Sequence, residues 1–447
     1  WDAPIAADGI YSGQGHYFMT LETASADEQS DATAGKPQRH ANHWVVLLLV
    51  FTMAGVVESQ AFGHLNAFRP LYLQQLGVPA ANIPTWTGVL AALGFVIGLP
   101  LLPFWGVWAD RYSRKLIIVR SAYVEGIMFS VAALAPNVWV LAVAQLFSGF
   151  VLGNTGVMLA MLADVTPRKR LGMAVGIASA GFPIGSSIGP FFGGLIAQGP
   201  GIRALLGVDA GLSALMGLVL TIIVREELHK SRTGETVRRM LRAAVHAIVS
   251  SPIVLRLFIL YFLAMYGYSL ASPFIPILLQ KWYTGDPREL AGVIGLTLTL
   301  AGIAMAIMTP IWGRIGDTAG RWIVLPICLT GIMVGLTVAA LAHSLFPLQL
   351  TIVGMGLFQG GIGTTVLALL ALLSPEERRA PILTFSLLPA QLSWFVGPIT
   401  GAALSRVSLT LPFIAGACSL AVALAFAIVL AMRAHRGSVA AKTASAR

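Results

Sequence analysis

Three carboxylic acids stand inside long apolar stretches of this chain: Glu58 in TMAGVVESQAFG, Glu125 in SAYVEGIMF and Asp209 in LLGVDAGLS. An acid held away from water is costly to ionise, so it can load and release a proton as its surroundings change. Glu58 falls near the middle of its stretch and is the candidate for proton or cation coupling, with Phe62 and Leu65 on the same helical face. Glu125 reads as an interhelical hydrogen-bonding group, and Asp209 as a structural acid near the outer edge of its segment. His64 and Asn66, close to Glu58 in sequence, read as packing residues.

The elements that must position these acids are membrane helices. The sequence has 447 residues, 56% hydrophobic and 11% charged, against about 25% charged in a soluble domain. Apolar segments fall near 44–70, 83–108, 116–135, 138–163, 171–198, 204–224, 253–280, 290–313, 322–342, 346–373, 380–404 and 409–432. These twelve have the length of bilayer spans, about 20 residues each. With the N-terminus in the cytoplasm, only Arg69, Arg203, Lys281, Arg288 and Arg406 of the 29 Lys and Arg residues fall outside. That asymmetry supports both the count and the orientation, with both termini cytoplasmic. The net charge of +10 is then a topology signal and not a nucleic-acid footprint. Cys328 and Cys418 sit in apolar runs and read as small buried side chains. The first 43 residues carry no apolar run of the length a cleavable signal needs, and Met19 is a candidate natural start.

The chain repeats itself. Gly106-x-x-x-Asp110-x-x-x-Arg114 recurs as Gly313-x-x-x-Asp317-x-x-x-Arg321, an offset of 207 residues. Thr166-Pro167-x-x-Arg170 recurs as Ser374-Pro375-x-x-Arg378, and Gly189-Pro190-x-x-Gly193 as Gly397-Pro398-x-x-Gly401, both offset by 208. Three matches at offsets of 207–208 residues divide the chain into a disordered cytoplasmic tail 1–43, a six-helix bundle 44–224 and a cytoplasmic linker 225–252. A second six-helix bundle 253–432 and a cytoplasmic tail 433–447 complete it. The expected fold is an all-α membrane protein of twelve transmembrane helices in two pseudo-symmetric six-helix halves.

At these residues the chain resembles the major facilitator superfamily. The loop Gly106, Asp110, Arg111, Arg114 and Lys115 looks like that superfamily's signature loop between spans two and three. Gly176, Gly185, Gly189, Pro190, Gly193 and Gly194 in span five are similar to the glycine–proline pattern of its drug:proton antiporter branches. The resemblance implies two parallel halves rocking about a midplane site. It also implies that the loop acts as a conformational latch, with Asp164 pairing its cations and Gly313, Asp317 and Arg321 as the second copy. The same drug exporters usually carry an arginine in span four as Leu-x-x-x-Arg-x-x-x-Gly. Here the pattern reads Leu141-x-x-x-Gln145-x-x-x-Gly149, so a hydrogen-bonding amide stands where the cation is expected.

For the substrate, Gln145, Asn154, Tyr266, Gln359, Gln391 and Trp394 are candidate lining, interleaved with methionines that give adaptable apolar surface. The expected function is proton-coupled export of small lipophilic compounds by alternating access. A transporter of one defined metabolite (sugar, amino acid, siderophore or lysolipid) is the alternative, and a membrane sensor or enzyme a remote one. No cofactor or metal is expected, with the proton gradient as energy source. The expected partners are a small-molecule substrate, protons and the lipid bilayer, for a monomer without nucleic acid. Arg-heavy basic content and abundant Ala and Gly point to a GC-rich bacterium and its cytoplasmic (inner) membrane.

Overall fold

The computed structural model describes residues 43–225, apart from 152, and 237–445. The tail expected over 1–43 lies outside the described residues except for His43, the first residue of α1. Every regular element described is helical. The first bundle comprises α1 (His43–Gln75), α2 (Ile83–Arg111), α3 (Arg114–Ala133), α4 (Val138–Phe147), α5 (Asn154–Val165), α6 (Leu171–Gln198) and α7 (Ile202–Ile223). A short helix α8 (Val237–Val249) precedes α9 (Pro252–Ala271), α10 (Ile275–Trp282), α11 (Leu290–Ile315), α12 (Arg321–Leu341) and α13 (Leu345–Leu373). The last are α14 (Arg379–Thr384), α15 (Leu388–Ser405) and α16 (Leu411–Ser445).

Local sequence sets several of these boundaries. Ser113 accepts a hydrogen bond from the Leu116 amide and Asn137 accepts from the amides of Trp139 and Val140, capping α3 and α4. Pro252 occupies the first turn of α9, where its missing N–H costs nothing.

Eleven stretches are long and apolar enough to cross a membrane, and one of them, Leu290–Leu341, runs for 52 residues. At 1.5 Å per residue that is more than twice the ~30 Å hydrocarbon thickness. A π-helical turn at Gly316–Gly320 divides it into α11 and α12, so the described helices supply twelve spans. α4 and α5 form one interrupted span, as do α9 and α10.

Helix extends into two of the segments expected outside the bundles. The linker contains α8, because VRRMLRAAVHAIV places Leu241, Val245 and Val249 at helical spacing between basic residues. The C-terminal tail continues α16 as far as Ser445, through an alanine-rich segment with strong helix propensity.

Within the bundle α3 packs on α7, α9 on α15 and α12 on α16. Contacts between the two sets of six spans run through α2 with α15 and α6 with α11. They concentrate at the end opposite the Arg111–Arg114 loop. There the side chain of Gln198 donates to the Glu289 carbonyl (3.1 Å), and a Cβ at Gly194 would stand 2.9 Å from the Ala291 carbonyl oxygen. Toward the loop end, by contrast, a Cβ added at Gly172, Gly176 or Gly313 would meet nothing within 4 Å.

Candidate functional site

Glu58, on α1, accepts a hydrogen bond from the Asn154 amide nitrogen at 2.9 Å. Asn154 reaches it because the fourth span is broken. α4 stops at Phe147, a tight turn covers Ser148–Phe150, and α5 begins at Asn154 behind Gly153 with φ of 97°. That left-handed conformation suits glycine, and a Cβ there would stand 2.6 Å from the Trp105 ring. Arg120 on α3 braces the break. It donates to the Phe150 carbonyl at 2.7 Å, and its guanidinium carbon lies 3.7 Å from the centre of the Trp105 ring.

Glu125 joins this site. It lines one internal cavity with Glu58, Asn154, Met158, Ser213 and Met216, with room for about one water molecule. Glu125 is 3% exposed, its Oε1 has no hydrogen-bond partner among the described residues, and Ser213 lies beside it in the cavity lining. Two ionised carboxylates lining so small a cavity would repel, so the arrangement suits a proton on one of them.

Further along α1, His64 and Asp209 meet in the interior. His64 Nδ1 lies 2.9 and 3.0 Å from the two carboxylate oxygens, and its Nε2 lies 2.8 Å from the Gly189 carbonyl oxygen. Asp209, seven residues into α7 from Ile202, is fully buried between helices. Among the described residues no set of three or more His, Cys, Asp or Glu side chains is arranged to hold a metal ion.

The candidate substrate residues do not form one group. Asn154 belongs to the Glu58 cavity, whereas Gln145 is buried with its amide nitrogen unpartnered among the described residues and does not line that cavity. In the second bundle the Tyr268 ring meets Trp394 edge-on at 6.2 Å, and Gln359 is half-buried on α13. Tyr266 instead stacks on Phe262 at 5.6 Å, and Gln391 is half-buried on α15.

The profile of the Major Facilitator Superfamily matches residues 44–281 and again 257–446. The chain belongs to that superfamily. It is thus a multi-pass membrane transporter and not an enzyme. Multidrug resistance protein MdtG of Escherichia coli is 27% identical over 366 residues, covering 81% of this chain and 88% of the relative. Among solved structures the nucleoside transporter NupG aligns with TM-score 0.69 at 13% identity, over 87% of this chain and 98% of NupG. The human organic anion transporter MFSD10 aligns with TM-score 0.63 at 14% identity, over 88% of this chain and 100% of that one. At these identities the structures speak for the fold alone.

The two superfamily motifs are placed as follows. Arg114 pairs with Asp164 across the first bundle, and Asp317 pairs with Arg321 in the second copy. Arg111 lies over the Tyr112 ring at 5.6 Å, and Lys115 is half-buried. The side chain of Asp110 and the surroundings of Gly106 lie outside the described residues, and Gly313 faces open space. On α6, Gly185, Gly189 and Gly193 pack against Val56, Gln60 and His64 of α1, while Gly194 meets α11. Pro190 is buried beside them, whereas Gly176 lies outside this seam.

Sequence reasoning passed over Glu125, Arg120 and the His64–Asp209 contact as functional groups. A usable signal existed in depth. Counted from the Arg114 end, Glu58, Glu125, Asn154 and Ser213 all lie about 10–15 residues into their spans, which puts them at similar height.

Proposed function

We propose that this transporter exports small lipophilic compounds across a bacterial cytoplasmic membrane in exchange for protons. In this reading Glu58 is the coupling residue, working with Glu125 and Asn154. The observation that carries it is that the half-buried Glu58 carboxyl, bonded to Asn154, and the buried Glu125 carboxyl, with an unpartnered oxygen among the described residues, line one water-sized cavity. The similarity to a multidrug resistance protein supports the substrate class. Both termini and the Arg111–Arg114 loop face the cytoplasm, following the distribution of Lys and Arg, and the bundles 44–224 and 253–432 rock as a monomer.

A proton entering from outside neutralises the Glu58 site, and its release inward restores the charge before the next substrate is bound. The Arg114–Asp164 pair makes the loop end part of the same cycle, because rearranging charge pairs biases which side is open. One proton moving inward at about 150 mV supplies roughly 3.5 kcal/mol. At about 1.4 kcal/mol per decade this sustains a gradient of a few hundred-fold for a neutral compound.

The test is efflux of ethidium, a lipophilic cation, from a pump-deficient bacterium expressing the wild type or Glu58→Gln at matched levels, with and without an uncoupler. The expected result is efflux that the uncoupler stops and that the variant lacks. No efflux by well-expressed wild type would point to one dedicated metabolite instead.

A further inference from the structure

The His64 ring touches an acceptor at each nitrogen. Nε2 lies 2.8 Å from the Gly189 carbonyl oxygen, a group that can only accept, so Nε2 carries a hydrogen and donates it. Nδ1 lies 2.9 Å from Asp209 Oδ1 and 3.0 Å from Oδ2. Either Nδ1 also carries a hydrogen and donates to an ionised carboxylate, or a protonated Asp209 donates to Nδ1. Both descriptions contain the same two protons. A neutral histidine beside an ionised aspartate contains only one. It would leave two acceptors face to face, at Gly189 or at Asp209, with His64 4% exposed and Asp209 fully buried.

From this proton count the geometry points to a second proton-binding site, the His64–Asp209 pair, whose second proton fastens α1 and α7 to the Gly189–Gly193 segment of α6. Uptake moves one proton from water to the pair and forms the missing hydrogen bond. Release returns it to water; the remaining ring proton stays on Nδ1, where its partner is a charged carboxylate, so the Nε2 bond is the one broken and the Gly189 carbonyl loses its hold on α1. The sequence of α6 is fitted to this contact. A Cβ at Gly193 would stand 2.9 Å from His64 Nε2, so only a glycine there admits the ring. The next residue after Gly189, Pro190, has its carbonyl against Gly295 of α11, where the two bundles meet. The proton is therefore held one residue from the contact between halves.

The charged groups around the pair are few. Glu125 on α3 is within electrostatic reach of both Asp209 and Glu58. On α1 itself Arg69 is bonded to Asn66 at 2.8 Å, and on α7 Arg203 is bonded to the Ala135 carbonyl at 2.9 Å. The facing segment of α6 presents only glycine, proline and phenylalanine between Gly189 and Gly193. The inference stands on hydrogen-bond geometry and is independent of whether Glu58 drives export.

The test is nitrogen NMR of the full-length protein in lipid nanodiscs with isotope-labelled histidine, followed from about pH 5 to pH 9. The His64 signals are assigned by their loss in H64Q or, where that variant does not fold, by replacing the remaining histidines. Two protons on the pair at the acid end, with reversible loss of one as pH rises, is the expected result. In D209N the expected state is one ring hydrogen, on Nε2, at every pH where the ring is neutral. A wild-type pair holding a single proton throughout would overturn the inference. So would a pair keeping both protons across the whole range, since that would be a fixed ion pair. The wild-type titration decides the question even where D209N does not fold.

Discussion

Asn154 owes its reach to the residue before it. Gly153 takes φ of 97° with Trp105 against its missing side chain, so Gly153→Ala combines a left-handed backbone with a steric clash. It is expected to cost about 1–3 kcal/mol or more, read as a lower melting temperature in detergent together with weakened transport. Arg120→Gln removes the stacking on Trp105 and the charge-assisted bond to the Phe150 carbonyl, with an expected cost of about 1–3 kcal/mol. The same melting assay checks it, with Arg239→Gln on the exposed face of α8 as an expected near-neutral control. Glu58 could be singled out from sequence because a lone acid mid-span is conspicuous. Glu125 could not be joined to it, since only packing shows that spans one, three, four and six present these groups to one cavity. Asp209 stands out as an acid in an apolar stretch, but His64 lies 145 residues away in sequence, and only packing shows that the two meet.

The glycine seam of α6 belongs to the scale of the element. Gly181, Gly185, Gly189 and Gly193 meet α1 at Thr52, Val56, Gln60 and His64, one step of four residues on both helices. Spacing of four places small residues on one stripe and lets backbones approach closely, so this seam was legible in the sequence. Its partner was not, because the same stripe could serve any neighbouring helix. A Cβ at Gly189 would stand 2.9 Å from Gln60 Cα, a backbone atom with nowhere to go, whereas at Gly176 it would meet nothing within 4 Å. Gly189→Ala is therefore expected to destabilise by about 1–3 kcal/mol. Gly176→Ala is expected to be neutral or to stabilise by up to about 1 kcal/mol through helix propensity. Thermal unfolding of the two variants side by side distinguishes a packing seam from a signature of spacing alone. The helix α8 escaped sequence reading for the opposite reason: its charges are dense enough to look like a solvated connection, and its apolar stripe is short.

At the scale of the whole molecule, the internal repeat and the count of twelve spans were legible because bilayer thickness and loop charge constrain them from outside the fold. The state of the transporter was not legible, since two rocking halves share one sequence. Here the bundles touch through α6 with α11 and α2 with α15, at the end away from the Arg111–Arg114 loop. If the halves rock, this far end must open during the cycle. Cysteines placed by Q198C and E289C, at the contact between α6 and the start of α11, in a background lacking Cys328 and Cys418, are expected to be bridged by a short cleavable thiol cross-linker and to stop transport, with recovery on reduction. Full transport by completely cross-linked protein would contradict rocking at this seam. The central claim is that substrate export and proton movement are coupled through Glu58, and the most direct measurement is proton flux in proteoliposomes containing the purified chain. On addition of ethidium to vesicles of wild-type protein, a pH-sensitive dye should report proton movement opposite to the substrate, and Glu58→Gln should abolish it while ethidium binding persists. Undiminished ethidium-driven proton movement by the variant would contradict the account.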